Sequence, residues 1–347
     1  MNHIVIMAGG IGSRFWPMST PEYPKQFVDI LGTGRTMIQM TVDRFSALCP
    51  PENIWVVTSK EYVRIVHEQL PELPSGNILP EPAMRNTAPC IAYACWKIRS
   101  VDPEANVAVT PADAMVVDVE EFRRVMAEAL SFTARGRHIV TIGITPTRPE
   151  TGYGYISAGN PVPEASTIRK VNCFKEKPVI EVAREYVAAG NYLWNAGIFV
   201  WNIDTIIDSI RTFTPDLADK MDLMAASFST SDEAAAIDRI FPTCDKISID
   251  YAVMEKADYI HTIQGDFGWS DVGTWGSLWT LLPHDEDDNA VVGKNVHLND
   301  CHGCIVHAPG AESVVLQGLT DCIVVIRGEK LLICRLSEEQ RIKDFVK

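Results

Sequence analysis

No apolar run in this sequence approaches the roughly eighteen residues that a membrane-spanning helix needs. Nor do its first residues show the charged, apolar and small-residue succession of a secretory signal; an apolar strand begins by His3. A cytoplasmic protein with no membrane partner is therefore expected. Positive charge is scarce as well: 31 Lys and Arg stand against 45 Asp and Glu, a net charge of −14. That balance excludes a general nucleic-acid binder, which needs a basic face to displace counterions from phosphates. An anionic ligand has to be met by a few placed cations and a divalent metal. A second close pair of cysteines is missing too. Of the nine cysteines, Cys301-His302-Gly303-Cys304 is a close pair, but no second pair stands at zinc spacing. Cys90, Cys95, Cys322 and Cys334 lie in apolar runs, where reduced, mostly buried thiols are expected.

What is present is an ordinary globular composition, with 46% hydrophobic and 22% charged residues. At 347 residues the chain is long enough for one large domain and a smaller one. The first thirty residues carry the strongest local signal. The strand His3-Ile4-Val5-Ile6-Met7-Ala8 runs into Gly9-Gly10-Ile11-Gly12-Ser13-Arg14-Phe15-Trp16-Pro17, and Pro24-Lys25-Gln26-Phe27 follows. Glycines let backbone N–H groups approach an anion, and Arg14 and Lys25 add cations, so the segment reads as a phosphate-binding loop.

From residue 3 to about 145, short β-branched runs alternate with helical periodicity. Strands are expected at Ile54–Val57, Asn106–Val109 and His138–Ile142, and helices around Met37–Leu48 and Phe122–Leu130. This alternation implies parallel βαβ units whose ligands lie beyond the strand C-termini. A second stretch to about 285 mixes strands, Thr167–Val171 and Ile198–Trp201, with helices such as 178–189, which Gly190 closes. After the acidic turn His284–Asn289 only short strands remain, at 290–296, 304–307, 313–316, 322–326 and 330–336, with a closing helix at 338–346. The expected division is 1–285 and 286–347, the latter a β-rich tail.

Polar clusters fall where expected strands end. Glu81 precedes Asn86 and Thr87, either of which can cap a helix; a carboxylate there suits guanine, which presents N1–H and an N2 amino group on one edge. Asp113 ends a buried strand, and Asp271 precedes a helix start. Each can cap a turn, or the two can hold Mg²⁺ against substrate phosphates. Thr151–Tyr155, Phe174–Pro178 and Trp194–Phe199 pair glycine or aromatic surface with fixed polar groups, as a sugar requires. Asp250, in Ser248–Glu255, reads equally as part of a capped amphipathic helix or as a site residue.

Taken in order, these blocks resemble the sugar-1-phosphate nucleotidylyltransferases, and among them the guanylyltransferases acting on mannose 1-phosphate. The likeness covers about residues 3–282: AGGxGxR, WP and PKQF from Ala8 to Phe27, RNTAP at Arg85–Pro89, PAD at Pro111–Asp113, GYGYI at Gly152–Ile156, and FxEKP at Phe174–Pro178. WNAGIF, SIDYAVME and WSDVGTW complete it. Phe15 stands where leucine is more usual, and Ala114 where many members have histidine.

The resemblance implies an α/β, Rossmann-like, mostly parallel sheet flanked by helices, followed by a small β-helix-like C-terminal domain. It implies a homodimer and transfer of GMP from GTP to mannose 1-phosphate, giving GDP-mannose and pyrophosphate. Ala8, Gly9, Gly10, Gly12, Ser13, Asn86 and Thr87 would bind the nucleotide, and Arg14 and Lys25 would act on the transferring phosphoryl group; Glu81, read from its own chemistry as the guanine acceptor, falls in the family's base-binding segment. Asp113 and Asp271 would hold Mg²⁺. Gly154, Glu176, Lys177, Asn195 and Gly197 would bind the sugar phosphate. Some members continue into a cupin domain with phosphomannose isomerase activity, which is not expected in 347 residues. The alternatives are another hexose or heptose 1-phosphate, another nucleotide, or a non-catalytic sugar-nucleotide sensor. A nicotinamide-dependent dehydrogenase fits poorly, because Phe15 replaces the third glycine of its fingerprint and Arg14 and Lys25 go unexplained.

Overall fold

Strand β1 (Asn2–Ala8) is apolar without alternation, and Ile4, Val5 and Ile6 are fully buried, as in a parallel strand covered on both faces. The computed structural model describes residues 1–10 and 12–346, with the backbone alone at Ser13. Strands β2 (Ile54–Ser59), β3 (Ile78–Glu81) and β4 (Asn106–Pro111) extend β1 in parallel. After the short β5 (Met115–Val116) come β6 (Ile139–Ile144), β7 (Tyr155–Val162), β8 (Ala165–Lys175), β9 (Tyr192–Asn202) and β10 (Ile260–Gly265). Nine strands form one sheet in the order β3, β2, β1, β4, β9, β6, β10, β8, β7. Strand β9 runs antiparallel to both β4 and β6, so the sheet is mixed.

Helices α1 (Met37–Phe45), α2 (Val63–Gln69), α3 (Thr87–Val101), α4 (Val119–Thr133), α5 (Ile180–Ala189), α6 (Ile203–Phe213), α7 (Pro215–Ala225) and α8 (Glu233–Ile240) follow in chain order. Asp118 caps α4 by accepting from Glu121 N–H at 2.9 Å. The helix expected over 178–189 is α5, and Gly190 ends it at φ 71°, a left-handed value that suits glycine. The amphipathic helix read at Ser248–Glu255 is instead one π-helical turn, Asp250–Met254.

Beyond β11 (Trp269–Ser270) and α9 (Trp275–Trp279), the tail is strand-rich as expected: β12 (Ala290–Val292), β13 (Val296–Asn299), β14 (Ile305–His307), β15 (Val314–Gln317), β16 (Cys322–Arg327) and β17 (Lys330–Arg335), closed by α10 (Ile342–Phe345). Strands β12, β14 and β16 stack in parallel, as do β13 and β15, while β17 returns antiparallel. The strand expected over 290–296 breaks at Gly293, where a Cβ would come within 2.9 Å of the Ala308 carbonyl oxygen.

The chain forms two compact units. One comprises Met1–Gly9, Val42–Pro111 and Val116–Trp269; the other comprises Gly10–Thr41, Ala112–Met115 and the chain from Ser270 onward. A cut at residue 285 therefore follows neither unit. The reason is packing: within the second unit Phe15, Met18, Val28 and Ile30 share one buried core with Ile305, Ile323, Val325 and Leu332.

Candidate active site

Parallel pairing aligns the strand ends of the first unit. Ala8 lies opposite Thr58, Ser59 opposite Glu81, and Met7 opposite Pro111. The chain thus leaves β1, β3 and β4 from one edge of the sheet, where ligands of such sheets bind. Ala8 is buried, and Thr58 Oγ1 donates to its carbonyl at 2.9 Å.

In the second unit the glycine loop turns at Gly12, whose φ is 65°; a Cβ there would meet Lys25 Cβ at 2.6 Å. Gly10 has open space around it, and its carbonyl accepts from Gln26 Nε2 at 2.9 Å. Ser13 opens the 3-10 turn Ser13–Phe15, and Arg14 is exposed within it. Lys25, 4% exposed, lies 2.9 Å from Asp113 Oδ2 and donates to the carbonyl oxygens of Asp271 and Val272, both at 2.9 Å. Val272 is buried with φ 44°, a strained value for a β-branched residue, and its carbonyl accepts from the ammonium. Asp271 does not cap the following helix. Thr274 does, while Asp271 Oδ1 accepts from Gly273 N–H at 3.1 Å. Lys25 thus touches both the Asp113 side chain and the Asp271 backbone, and carboxylates of this kind are oxygen ligands that a divalent cation can take.

In the first unit, Glu81 is buried, and a Cβ on Gly9 would lie 3.5 Å from its Oε2. Burial pushes its carboxyl up to about 7, with a smaller opposing effect from the Cys90 thiol. Oε1 has no partner among the described residues. Asn86 is the cap of α3: its side chain accepts from Thr87 N–H at 2.8 Å, at a left-handed φ of 68°. The Thr87 hydroxyl accepts from Ile249 N–H at 2.9 Å.

Also in the first unit, Gly154, Glu176 and Asn195 meet. Asn195 N–H donates to Gly154 O at 2.8 Å, and a Cβ on Gly154 would come within 2.6 Å of Glu176 Oε2. The Glu176 side chain, 7% exposed, is ion-paired with Lys177, whose side chain is 59% exposed. Gly197, at φ 70°, donates its N–H to Asn195 Oδ1 at 3.1 Å. Asp250 joins them by accepting from Asn195 Nδ2 at 3.2 Å; burial, then the charge of Glu176, pushes its carboxyl up to about 6.

The sequence reading did not single out Thr141, whose hydroxyl donates to Asn195 Oδ1 at 3.0 Å; a threonine inside a buried strand gives no local signal. It also missed Gln26, quoted only as part of a block, and Trp269. The rings of Trp194 and Trp269 both stand edge-on to Tyr153, at 5.2 and 5.3 Å, and both indole nitrogens are buried without a partner among the described residues. Among those residues no group of three His, Cys, Asp or Glu side chains could hold a metal, and this includes the Cys301–Cys304 pair.

A glycine loop after the first strand of an α/β sheet, with a lysine and two aspartates brought near one another, suits an enzyme that handles nucleotide phosphates. The nucleotidyl transferase family matches residues 3–288, and the chain belongs to it. The alginate biosynthesis protein AlgA of Pseudomonas aeruginosa is 37% identical over 99% of this chain and 71% of its own length. A mannose-1-phosphate guanylyltransferase of Salmonella montevideo is 37% identical over 99% of this chain and 72% of its own. A crystal structure described as mannose-1-phosphate geranyltransferase from Thermus thermophilus superposes with a TM-score of 0.90 at 30% identity, covering 99% of this chain and 98% of that one. No described helix is long and apolar enough to cross a membrane.

Proposed function

We propose that this enzyme transfers GMP from GTP to α-D-mannose 1-phosphate, releasing pyrophosphate and forming GDP-mannose. The observation that carries the reading is the Lys25, Asp113 and Asp271 cluster, in a chain whose relatives bear that activity in their names. The phosphate oxygen of the sugar substrate is already ionised near pH 7, so no general base is required. The protein's work is alignment and charge. Asp113 and Asp271 would hold Mg²⁺, which when bound neutralises triphosphate charge. Gly9, Gly10, Gly12 and Ser13 offer backbone N–H groups to the phosphates, and Arg14 and Lys25 stabilise charge that builds on the α-phosphoryl oxygens.

In its ionised form Glu81 accepts from N1–H and the N2 amino group of guanine; Asn86 and Thr87 shape the backbone beside it. Glu176, Lys177, Asn195, Gly154 and Gly197 receive the sugar phosphate. In this reading residues 1–285 carry the reaction and 286–347 form the tail. The exposed Leu331 and Ile333 on edge strand β17 support pairing with a second copy, hence a homodimer. The nine cysteines, all free, support a reducing, cytoplasmic setting.

The test is pyrophosphate release across a panel of nucleoside triphosphates and sugar 1-phosphates with Mg²⁺. GTP with mannose 1-phosphate is expected to give the highest kcat/KM. Best turnover with UTP or dTTP would refute the guanine role of Glu81, and best turnover with another hexose or heptose phosphate would change the sugar. Tight GDP-mannose binding without turnover would mark a sensor.

A further inference from the structure

Three hydrogen bonds fix which way the side-chain amide of Asn195 faces. Thr141 Oγ1 donates to its Oδ1 at 3.0 Å, and the Gly197 backbone N–H donates to the same oxygen at 3.1 Å. A backbone N–H can only donate, so the atom facing Gly197 is the carbonyl oxygen and the amide nitrogen faces away from it. There it donates to Asp250 Oδ1 at 3.2 Å. These bonds use one of the two amide hydrogens.

Next to this amide stands an acceptor. A Cβ on Gly154 would clash with Glu176 Oε2 at 2.6 Å and touch Asn195 Cβ at 3.4 Å, so both side chains pack against the Gly154 backbone and leave no room there for a side chain. A carboxylate acceptor beside an amide donor matches two neighbouring sugar hydroxyls, one donating and one accepting. Asp250 opens the single π-helical turn of the chain's described part, a distortion of the kind that often re-aims a side chain at a site.

We propose that Asp250 is a positioning residue for the sugar 1-phosphate, its carboxylate holding the Asn195 amide so that one N–H is presented to a sugar hydroxyl. The proposal rests on the assignment of Asn195 to the sugar. Asp250 is an acceptor-only group when ionised, and its burial with Glu176 places its ionisation near pH 6. The charged groups facing it are Glu176 and Lys177; Tyr251 lies near Lys177, and Glu255 accepts from Glu176 N–H at 3.2 Å. From β6 and β9 come the uncharged Thr141 and Asn195.

The test compares wild type, Asp250→Ala and Asp250→Asn by steady-state kinetics, with KM measured separately for GTP and for the sugar phosphate the wild type turns over best. Asp250→Ala is expected to raise the sugar-phosphate KM about tenfold or more, the scale of losing a hydrogen bond to a charged group. The GTP KM should stay within about twofold, the scatter left by a change that touches no nucleotide contact. Asp250→Asn keeps an acceptor oxygen but cannot ionise. Its sugar KM should lie near the wild-type value at low pH and fail to tighten as pH rises through 6. The substrate phosphate titrates near the same pH but affects both proteins alike, so the variant to wild-type KM ratio is read.

A flat ratio across pH, or an Asp250→Ala enzyme whose sugar KM is unchanged, overturns the proposal while leaving the activity in place. If Asp250→Ala fails to fold, the Asn ratio decides. A wild type inert with every sugar 1-phosphate overturns the functional reading and this proposal together.

Discussion

The Lys25 ammonium stands 2.9 Å from Asp113 Oδ2 and spends its other hydrogens on the Asp271 and Val272 carbonyls at the same distance. An ammonium has three donors, and all three are met by protein oxygens, so Lys25 acts on the transferring phosphoryl group through its charge and not through a hydrogen bond. One buried cation thus fixes the backbone that carries one aspartate and neutralises part of the other.

Removing either cation of the loop should therefore slow the reaction, with different side effects. Arg14 is exposed, so Arg14→Ala should lower kcat by about a hundredfold or more and leave the melting temperature unchanged. Lys25→Ala should lower kcat at least as much and also destabilise the fold, by about 2 kcal/mol or more for the lost charged hydrogen bonds. Stopped-flow or steady-state pyrophosphate release beside thermal melts separates the two. An unchanged kcat in both variants would remove these residues from the phosphoryl-transfer machinery.

The Glu81 carboxyl, pushed up to about 7, makes guanine recognition dependent on pH. Ionised, it accepts two hydrogens from the guanine edge; protonated, it offers a donor where a second acceptor is needed. The KM for GTP should rise as pH falls from 8 to 6, and Glu81→Gln should show a weaker, pH-independent KM. Stability moves the opposite way. The folded value lies above the ordinary 4.5, so the protonated form is the favoured native one, and stability is lost as pH rises through about 7. Glu81→Gln should regain up to about 3 kcal/mol at pH 8 in denaturant titrations without nucleotide. A GTP KM that tracks pH identically in both proteins would assign the dependence elsewhere.

Gly12 and Gly10 are separable. At Gly12 a side chain meets a left-handed φ of 65° and Lys25 Cβ at 2.6 Å, so Gly12→Ala should cost about 1–3 kcal/mol of stability. Gly10 has nothing within 4 Å, so Gly10→Ala should fold normally. Any loss it causes should appear in the GTP KM. Chemical denaturation of the two variants checks the contrast, and equal stabilities would refute it.

How far these features were readable in advance depended on their range. The first strand and the α5 stop at Gly190 are local patterns of apolar runs and permissive dihedrals, and the structure places them as expected. Asp113 and Asp271 could be named as candidates, but their meeting about Lys25 depends on chain-distant packing that no local spacing encodes. The same holds for Thr141, whose hydroxyl matters only because β6 lies beside β9. Composition changes at residue 285, yet compactness does not, because the apolar residues of 10–41 are indistinguishable by pattern from those of the first unit.

A buried histidine in the tail gives a pH prediction independent of catalysis. His307 Nε2–H donates to Ile30 O at 2.9 Å, its Nδ1 has no partner among the described residues, and burial lowers its pKa to about 4. The neutral ring is the native form. As pH falls below 6.5 the unfolded chain takes up a proton that the folded chain refuses until about 4, so stability is lost across that window, by at most about 3 kcal/mol. His307→Gln keeps a donor for Ile30 and cannot titrate, so its stability should change less between pH 6.5 and 4. Matching slopes in denaturant titrations at a series of pH values would show that other groups govern acid unfolding.

The shared core of the second unit makes the tail more than an attachment. Phe15, Met18, Val28 and Ile30, from the stretch that bears Gly12, Arg14 and Lys25, are buried together with Ile305, Ile323, Val325 and Leu332. Cutting the chain after residue 285 would strip those four partners from the loop segment and expose its apolar side chains to water, at about 1.5–3 kcal/mol for each large residue uncovered. The truncated protein should therefore lose nearly all kcat with GTP and sugar phosphate, whatever its oligomeric state, and the milder Ile305→Ala should lower the melting temperature. Sedimentation and turnover measured on the same samples distinguish the outcomes. A truncated chain that dissociates yet keeps full activity would mean that the loop holds its shape without the tail.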